Sequence, residues 1–141
     1  MAELKKAKRC AQAMWAGDKA SKALGMKVEI REPGAATAEM TVRDDMVNGF
    51  DVCHGGLVFA LADTAFAFAC NAYDRKTVAA SASIEFLRPT LLGDRLRATA
   101  TEEHRGRRRG YYKVRVENQD GDLVALFQGR SASNDEPLLS D

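Results

Sequence analysis

NGFDVCHGGLVFALADTAFAFACNAY, residues 48–73, is the stretch of this 141-residue chain that decides its fold. From about 55 to 73 the residues are apolar on every side of a helical projection, apart from Asp63, Thr64 and Asn71. The Ala and Leu content favours helix over strand. A helix that is apolar all round is buried all round, so we expect this one to be the centre of the domain.

On both sides of this helix the sequence changes to a period of two, which is typical of half-buried strands. Apolar residues alternate with polar or smaller ones through 36–42, 78–86 and 112–116. The segment 123–129 is apolar on both faces, and Asp120-Gly121 indicates a hairpin before it. An apolar helix and an amphipathic sheet bury each other if the sheet curls around the helix. The sequence therefore predicts an α+β fold with a long central helix wrapped by a curved antiparallel β-sheet.

The chain length fits one domain, which we take to span 1–141. Residues from about 2 to 18 have helical spacing with lysines and an arginine on the other face, and predict an N-terminal helix. The central helix is expected at about 55–73. From about 134 the tail is polar and acidic, and we expect it to be frayed.

Composition excludes several classes of function. A net charge of +1 suggests neither a nucleic-acid binder nor a protein drawn to membranes. Three cysteines without a CxxC pair argue against a disulfide framework and a structural zinc site. No apolar run or cleavage site follows the basic N-terminus, and the longest apolar stretch is too short to span a bilayer, so we expect a cytoplasmic protein.

Two glycines, Gly55 and Gly56, begin the central helix. Backbone N–H groups there lack partners within the helix, carry the positive end of its dipole, and are open to close approach by a ligand. An oxyanion or a polarised carbonyl oxygen suits such a site. Asp63 is costly to bury without a cation and therefore indicates a function. The alternative is a structural Asp63 that is hydrogen-bonded to Thr64 or to nearby backbone.

The spacing of Gly55 and Asp63 bears on the assembly. They are eight residues apart on one helix, which is about 12 Å at about 1.5 Å per residue. Both cannot contact one reacting carbonyl. If both serve the same reaction, they come from different subunits, and the site lies at a dimer interface.

The run NGFDVCHGGLVFALADTAFAFACN, together with ASIEFLRPTLLGDRL, closely resembles the PaaI-type phenylacetic acid degradation thioesterases of the hotdog superfamily. The resemblance extends from MWAGDKASKALGM near the N-terminus to VALFQGRS near the C-terminus. It implies the hotdog fold, homodimers with a continuous sheet, and tetramers built as dimers of dimers. It implies hydrolysis of acyl-CoA, with phenylacetyl or hydroxyphenylacetyl as the favoured acyl groups, and no metal or redox cofactor.

The same resemblance implies roles for individual residues. Asp63 matches the catalytic carboxylate, acting as general base or as nucleophile. Gly55 matches the glycine whose N–H polarises the thioester carbonyl. Asn48 and His54 match residues that orient the carbonyl or the water, and Thr64 matches a helper beside the acid. Gly17 departs from the pattern, because some relatives have Asn there.

Other residues are predicted to bind the substrate. In the basic segment 105–109, Arg107 and Arg109 are candidates for the phosphates of coenzyme A, although a solvated turn explains such a segment equally well. Arg88 and Pro89 match the position of the pantetheine tunnel in relatives. The remaining candidates are residues of the loop or of a strand near the site: Gly49, Phe50, Gly56, Ser81 and Ser83.

Alternative functions are open at this stage. Cys53 beside His54 suggests a thiol nucleophile, but adjacent loop side chains usually diverge. His54 as a metal ligand lacks partners, because His104 is the only other histidine. A hotdog hydratase or dehydratase usually has a proline near its histidine that this loop lacks. A non-catalytic acyl-CoA sensor would lack the acid.

Overall fold

The computed structural model describes residues 2–139. Two helices, α1 and α2, precede a β-hairpin and a short 3-10 turn; the long helix α3 and four further strands follow. Their bounds are α1 Ala2–Gly17, α2 Lys19–Ala23, β1 Lys27–Glu32, β2 Ala35–Thr41, the turn Asp44–Met46, α3 Gly55–Cys70, β3 Thr77–Phe86, β4 Arg95–Arg105, β5 Arg109–Glu117 and β6 Leu123–Ser133. Within residues 2–139, no helix is both long and apolar enough to cross a membrane.

The six strands form one antiparallel sheet in the order β1-β2-β4-β5-β6-β3. One face of strand β5 packs against α3, and the other faces solvent. The buried residues are Gly110, Tyr112, Val114 and Val116, and the residues between them are exposed. The predicted alternation is therefore confirmed for β5. It is wrong for β3, predicted over 78–86 as a half-buried strand, because β3 lies at the sheet edge and is exposed at most of its positions. The α+β fold with a wrapped helix is confirmed.

The helix and the sheet meet around Phe66. Its ring lies 5.4 Å from that of Tyr112 on β5 and 5.7 Å from that of Phe127 on β6, centroid to centroid. A Cβ atom at Gly129 would lie 2.8 Å from this ring, so only glycine fits there without displacing Phe66. This packing fixes α3 across the middle of the sheet.

The central helix ends at Cys70, three residues before the predicted boundary at 73. Asn71 is the reason. Its side-chain amide donates to the carbonyls of Ala67 at 2.9 Å and Thr77 at 3.0 Å, and its Oδ1 accepts from Thr77 N–H at 3.0 Å. The side chain thus replaces helical hydrogen bonds and ties the end of α3 to the start of β3.

The prediction that α3 is buried all round is wrong for one stripe. Phe59, Ala60, Asp63, Thr64 and Ala67 are only partly buried, although most other residues of the helix are fully buried. These positions are spaced by three or four residues and therefore lie on one side of the helix. The wrapped sheet of one chain leaves this stripe incompletely covered.

The two ends of the chain differ from their expectations in detail. The N-terminal helix ends at Gly17, as the sequence indicates, but a second short helix, α2, follows it. The tail is not frayed as far as Leu139, because Asp74 accepts hydrogen bonds from the N–H groups of Leu138 and Leu139 at 3.0 and 2.7 Å. Residues 140 and 141 of the predicted tail lie outside the described residues.

Candidate active site

A cleft of about 300 Å³ lies at the N-terminal end of α3. Two loops form its walls, and short β-bridges join Val47 to Cys53 and Val52 to Leu91. The residues that line it are Asn48, Val52, Cys53, Gly55, Val58, Phe86, Leu87, Arg88, Pro89, Thr90 and Val124. The structure thus brings four predicted site residues together: Asn48, Gly55, Arg88 and Pro89.

The hydrogen bonds at the start of α3 leave one backbone donor without a partner. His54 is the N-cap, and its Nδ1 accepts from Gly56 N–H at 3.1 Å. Leu57 N–H donates to the His54 carbonyl at 2.9 Å. Gly55 N–H has no acceptor among residues 2–139, and Gly55 lines the cleft. This N–H sits at the positive end of the α3 dipole and can polarise a bound carbonyl oxygen.

Gly55 also lies close to its neighbour across the cleft, Phe86. A Cβ atom at this position would lie 3.1 Å from the Phe86 ring. Phe86 is the last residue of β3, and its ring lies beside the start of α3. The side chain is 55% exposed, so the rest of the ring is open to solvent. Sequence reasoning missed Phe86 as a site residue. The only signal for it is its position at the end of an alternating strand.

The side-chain carbonyl oxygen of Asn48 stabilises the loop that follows it. Its Oδ1 accepts from the N–H groups of Phe50 at 2.9 Å and Val52 at 3.3 Å. Its Nδ2 has no acceptor within residues 2–139. Because Oδ1 is occupied, Asn48 presents hydrogen-bond donors to the cleft.

Asp63 lies elsewhere, on the incompletely covered stripe of α3, and does not line this cleft. Burial raises the pKa of its carboxyl above the usual range. No hydrogen bond or ion pair to Asp63 occurs among residues 2–139. Thr64, the next residue, donates its hydroxyl to the Ala60 carbonyl at 2.7 Å, so the structural alternative for Asp63 has no support from this hydrogen bond.

Cys53 does not have the features of a nucleophile. Burial raises the pKa of its thiol above the usual range, which favours the neutral form. Its Sγ lies 3.7 Å from the His54 carbonyl oxygen, whereas the His54 ring turns back to Gly56. The two side chains therefore make no thiol–imidazole pair. Among residues 2–139, no three His, Cys, Asp or Glu side chains are grouped as metal ligands.

Comparison with known proteins identifies the family. The family model of the Thioesterase superfamily matches residues 50–125. The acyl-coenzyme A thioesterase PaaI of Escherichia coli (strain K12) is 46% identical over 126 residues, covering 89% of this chain and 90% of that protein. The chain belongs to the thioesterase superfamily. The resemblance inferred from the sequence motifs is therefore confirmed.

Comparison with solved structures agrees with this family assignment. The structure of the E. coli PaaI protein from the phenylacetic acid degradation operon matches with a TM-score of 0.93 at 43% identity, covering 95% of this chain and 97% of that one. A Streptococcus mutans UA159 protein bound to acetyl-CoA matches with a TM-score of 0.75 at 25% identity, covering 79% and 90%. The hotdog fold of this thioesterase-superfamily chain is thus confirmed.

In this thioesterase the basic segment forms the connection between β4 and β5, near the C-terminal end of α3. Arg107 and Arg109 line a small cavity there with Cys70 and Tyr73. Neither arginine has an ion-pair partner within residues 2–139. Arg105 is held in place, because its guanidinium lies 3.6 Å from the Tyr73 ring centroid. In one chain this cluster is therefore separated from the Gly55 cleft by the length of α3.

The remaining predicted residues are not brought to the cleft of the same chain. Ser81 and Ser83 pair with Arg130 and Gln128 of β6, and line a groove of about 360 Å³ on the sheet face opposite α3. Phe50, at the tip of the loop, is 87% exposed, and Gly49 is exposed beside it. His54 and Gly56, the N-cap pair of α3, flank Gly55 in the chain but do not line the cleft. Whether these residues bind substrate stays a prediction.

Proposed function

We propose that this protein is an acyl-CoA thioesterase that converts an acyl-CoA and water into a free acid and coenzyme A. The observation that carries the proposal is the unpartnered Gly55 N–H at the N-terminus of α3, inside a cleft lined by Asn48. The E. coli relative's name and its phenylacetic acid degradation operon support phenylacetyl as the acyl group, and hydroxyphenylacetyl is the other acyl group that the sequence resemblance implies. Coenzyme A is part of the substrate, no further cofactor is required, and the proposed compartment is the cytoplasm.

The catalytic unit is proposed to be a homodimer that pairs through β3. This edge strand is exposed along most of its length, including Val78 at 66% and Phe86 at 55%. Only one charge, Glu85, lies within it, whereas the opposite edge, β1, has exposed charges at four of its six residues. Sheet edges that must not pair are usually protected by charges, so β3 is the edge suited to a partner.

A two-fold axis through paired β3 strands would bring the Asp63 stripe of one subunit towards the Gly55 cleft of the other. Gly55 and Asp63 of one chain are about 12 Å apart along α3 at about 1.5 Å per residue, too far to contact one carbonyl. A two-fold axis perpendicular to the sheet runs the two α3 helices antiparallel. This arrangement supports a site that takes its N–H donor from one subunit and its carboxylate from the other. A tetramer would be a dimer of such dimers.

In the proposed mechanism, Gly55 N–H and the Asn48 amide polarise the thioester carbonyl and stabilise the oxyanion that forms on attack. His54 keeps its proton on Nε2, because Nδ1 accepts from Gly56, and so offers a donor at the rim of the cleft. The Asp63 carboxylate of the partner is the general base for water, or attacks the carbonyl carbon itself. Its raised pKa makes it a stronger base than an exposed carboxylate.

The phosphates of coenzyme A are proposed to bind the arginines between β4 and β5. Arg107 and Arg109 have unpaired guanidinium groups in the described chain, and Arg105 is fixed by Tyr73. Asp63 and Cys70 are about 10 Å apart along α3 at about 1.5 Å per residue. The subunit that supplies Asp63 would therefore also supply these arginines. The acetyl-CoA bound to the S. mutans protein supports coenzyme A esters as ligands of this fold.

The pantetheine arm and the acyl group occupy the remaining predicted positions. Arg88 and Pro89 line the cleft beside Gly55 and are proposed to border the pantetheine arm. Phe50 and Gly49, exposed on the loop, are proposed to border the acyl group of a partner subunit's site. Ser81 and Ser83 stay candidates only for a contact across the dimer, because they lie on the outer sheet face.

A thiol-release assay over a panel of acyl-CoA esters tests the function. We expect turnover with arylacetyl-CoA, and a loss of kcat of at least about 10³-fold for Asp63→Asn, because general-base or nucleophilic assistance is removed. Loss of enoyl-CoA absorbance without thiol release would identify a hydratase instead. Binding of acyl-CoA without any turnover would identify a sensor.

A further inference from the structure

Three polar side chains connect the N-terminal helices to α3. Asp18 caps α2: its Oδ1 accepts from Ser21 N–H at 3.0 Å, and its Oδ2 accepts from the Ser21 hydroxyl at 2.7 Å. The Ser21 Oγ lies 3.4 Å from the Thr64 Oγ1. Ser21 is 3% exposed, so this contact is shielded from water. Thr64 is adjacent to Asp63, the proposed catalytic acid.

The two hydroxyl protons show the direction of this chain of contacts. The Ser21 hydroxyl donates its proton to the Asp18 carboxylate, and the Thr64 hydroxyl donates its proton to the Ala60 carbonyl. Both distances are 2.7 Å. Ser21 therefore presents only lone pairs to Thr64. The Thr64 proton is donated mainly to Ala60 O at 2.7 Å and can be shared with Ser21 Oγ at 3.4 Å, and the Thr64 oxygen keeps a lone pair for another donor.

The hydrogen bond between the Ser21 hydroxyl and Asp18 Oδ2 is not needed to cap α2. The backbone cap is complete with Asp18 Oδ1 and Ser21 N–H, and an alanine at position 21 would keep that N–H. The second carboxylate oxygen serves the Ser21 hydroxyl alone among the contacts described for residues 2–139. Threonine on a helix divides between two rotamers, since its hydroxyl can bond the carbonyl of the preceding turn. The Ala60 hydrogen bond and the Ser21 contact are both made in the rotamer that the structure shows.

We propose that Asp18 and Ser21 are positioning residues that hold the Thr64 hydroxyl in one rotamer beside Asp63 during thioester hydrolysis. The inference rests on the proposed roles of Asp63 and Thr64. With its proton held on the Ala60 and Ser21 side, the Thr64 oxygen accepts a hydrogen bond from the water that Asp63 activates. A fixed acceptor there orders that water for attack.

A double-mutant cycle tests the connection. Ser21→Ala is expected to lower kcat about fivefold with unchanged KM and Tm, because only the orientation of Thr64 is lost. Thr64→Val is expected to lower kcat further, and the double variant is expected to equal Thr64→Val, since Ser21 acts only through Thr64. Lys19→Ala, an exposed change on α2, is the control and should leave kcat unchanged.

Asp18→Asn is a second test of the contact between Ser21 and Thr64. It preserves the helix cap, because Asn and Asp cap equally well. The Asn amide would donate to Ser21 Oγ and turn the Ser21 proton towards Thr64. We expect Asp18→Asn to lower kcat when residue 21 is serine. In the Ser21→Ala variant, the same Asp18→Asn change should leave kcat unaltered. Wild-type kcat in Ser21→Ala, independent losses in the double variant, or a change in Tm alone would each overturn the inference. Asp63→Asn, measured in parallel, tests the proposed function separately: if it stays active, that function fails whatever Ser21 does.

Discussion

The Nδ1 atom of His54 accepts a hydrogen bond from the backbone N–H of Gly56 at 3.1 Å. This bond uses the second N–H of α3 and leaves the first, that of Gly55, for a ligand in the cleft. It also requires that the ring proton of a neutral His54 is on Nε2, away from the helix. In the proposed mechanism, one side chain thus defines both the donor that polarises the carbonyl and a second donor beside it.

The importance of the Gly55 N–H can be measured by removing it with little change to the helix. Proline fits the first position of a helix and lacks only the N–H, and His54 already has the extended backbone, φ −58° and ψ 129°, that precedes proline. We expect Gly55→Pro to lower kcat about 10²-fold through loss of one oxyanion donor. Gly55→Ala is the matched control: it adds a Cβ near Phe86 but keeps the N–H. Equal losses in the two variants would assign the effect to Phe86 and not to the N–H.

The raised pKa of Asp63 predicts a pH-dependent difference in stability. Burial raises the pKa of this carboxyl in the folded chain above its usual value of 3.8. The ionised form is therefore the destabilising one, and stability is lost as the pH rises through the folded pKa. We expect Asp63→Asn to unfold at a higher temperature than the wild type at neutral pH, and the gap to close as the pH falls below 3.8. Thermal unfolding across this range measures it; a gap that is independent of pH would contradict the prediction.

Much of the fold and part of the candidate site can be predicted from the sequence for a physical reason. Periodicity reports which side of an element is buried, and the apolar run of α3 and the alternation of β5 carry that signal strongly. The helix rise alone separates Gly55 from Asp63. The sequence predicts that the N-terminal glycines of α3 offer N–H donors to an oxyanion or a polarised carbonyl oxygen, because helix ends have unpaired N–H groups whatever the tertiary fold.

The features that the sequence did not reveal depend on contacts between distant residues. Asn71 ends α3 early by binding Thr77, and Asp74 holds the tail at Leu138 and Leu139. The approach of Phe86 to Gly55 depends on how β3 leaves the sheet. Such contacts follow from the geometry of the folded chain, and local patterns of apolar and polar residues contain no record of them.

The arginines between β4 and β5 should affect binding of coenzyme A and not the chemistry. Arg107→Gln and Arg109→Gln are each expected to raise KM for an acyl-CoA about fivefold by removing a charge-assisted contact to phosphate, with kcat unchanged. The corresponding acyl-pantetheine ester lacks the phosphates, so its KM should not change. Arg115→Gln, exposed on β5, is the control. An equal rise in KM for both esters would refute the phosphate assignment.

Pairing through β3 can be tested with a charge in the middle of the strand. In a two-fold dimer, Ala82→Lys would place two like charges near each other across the paired edge. We expect this variant to be monomeric by light scattering and inactive, because neither site is then complete. Glu29→Lys, which also alters the charge of an edge strand, lies on β1 and should leave both properties intact. A monomeric Ala82→Lys protein with wild-type activity would exclude a site shared between subunits.

The most direct test of the central claim is activity recovery in mixed dimers of Asp63→Asn and Gly55→Pro chains. If each site takes Gly55 from one subunit and Asp63 from the other, every heterodimer contains one intact site. Random one-to-one mixing after co-refolding then restores about a quarter of the wild-type activity, since half of the dimers are heterodimers with one site of two. If each site lies within one chain, no heterodimer contains an intact site. Recovery near a quarter is the predicted result, and no recovery in verified heterodimers would contradict it.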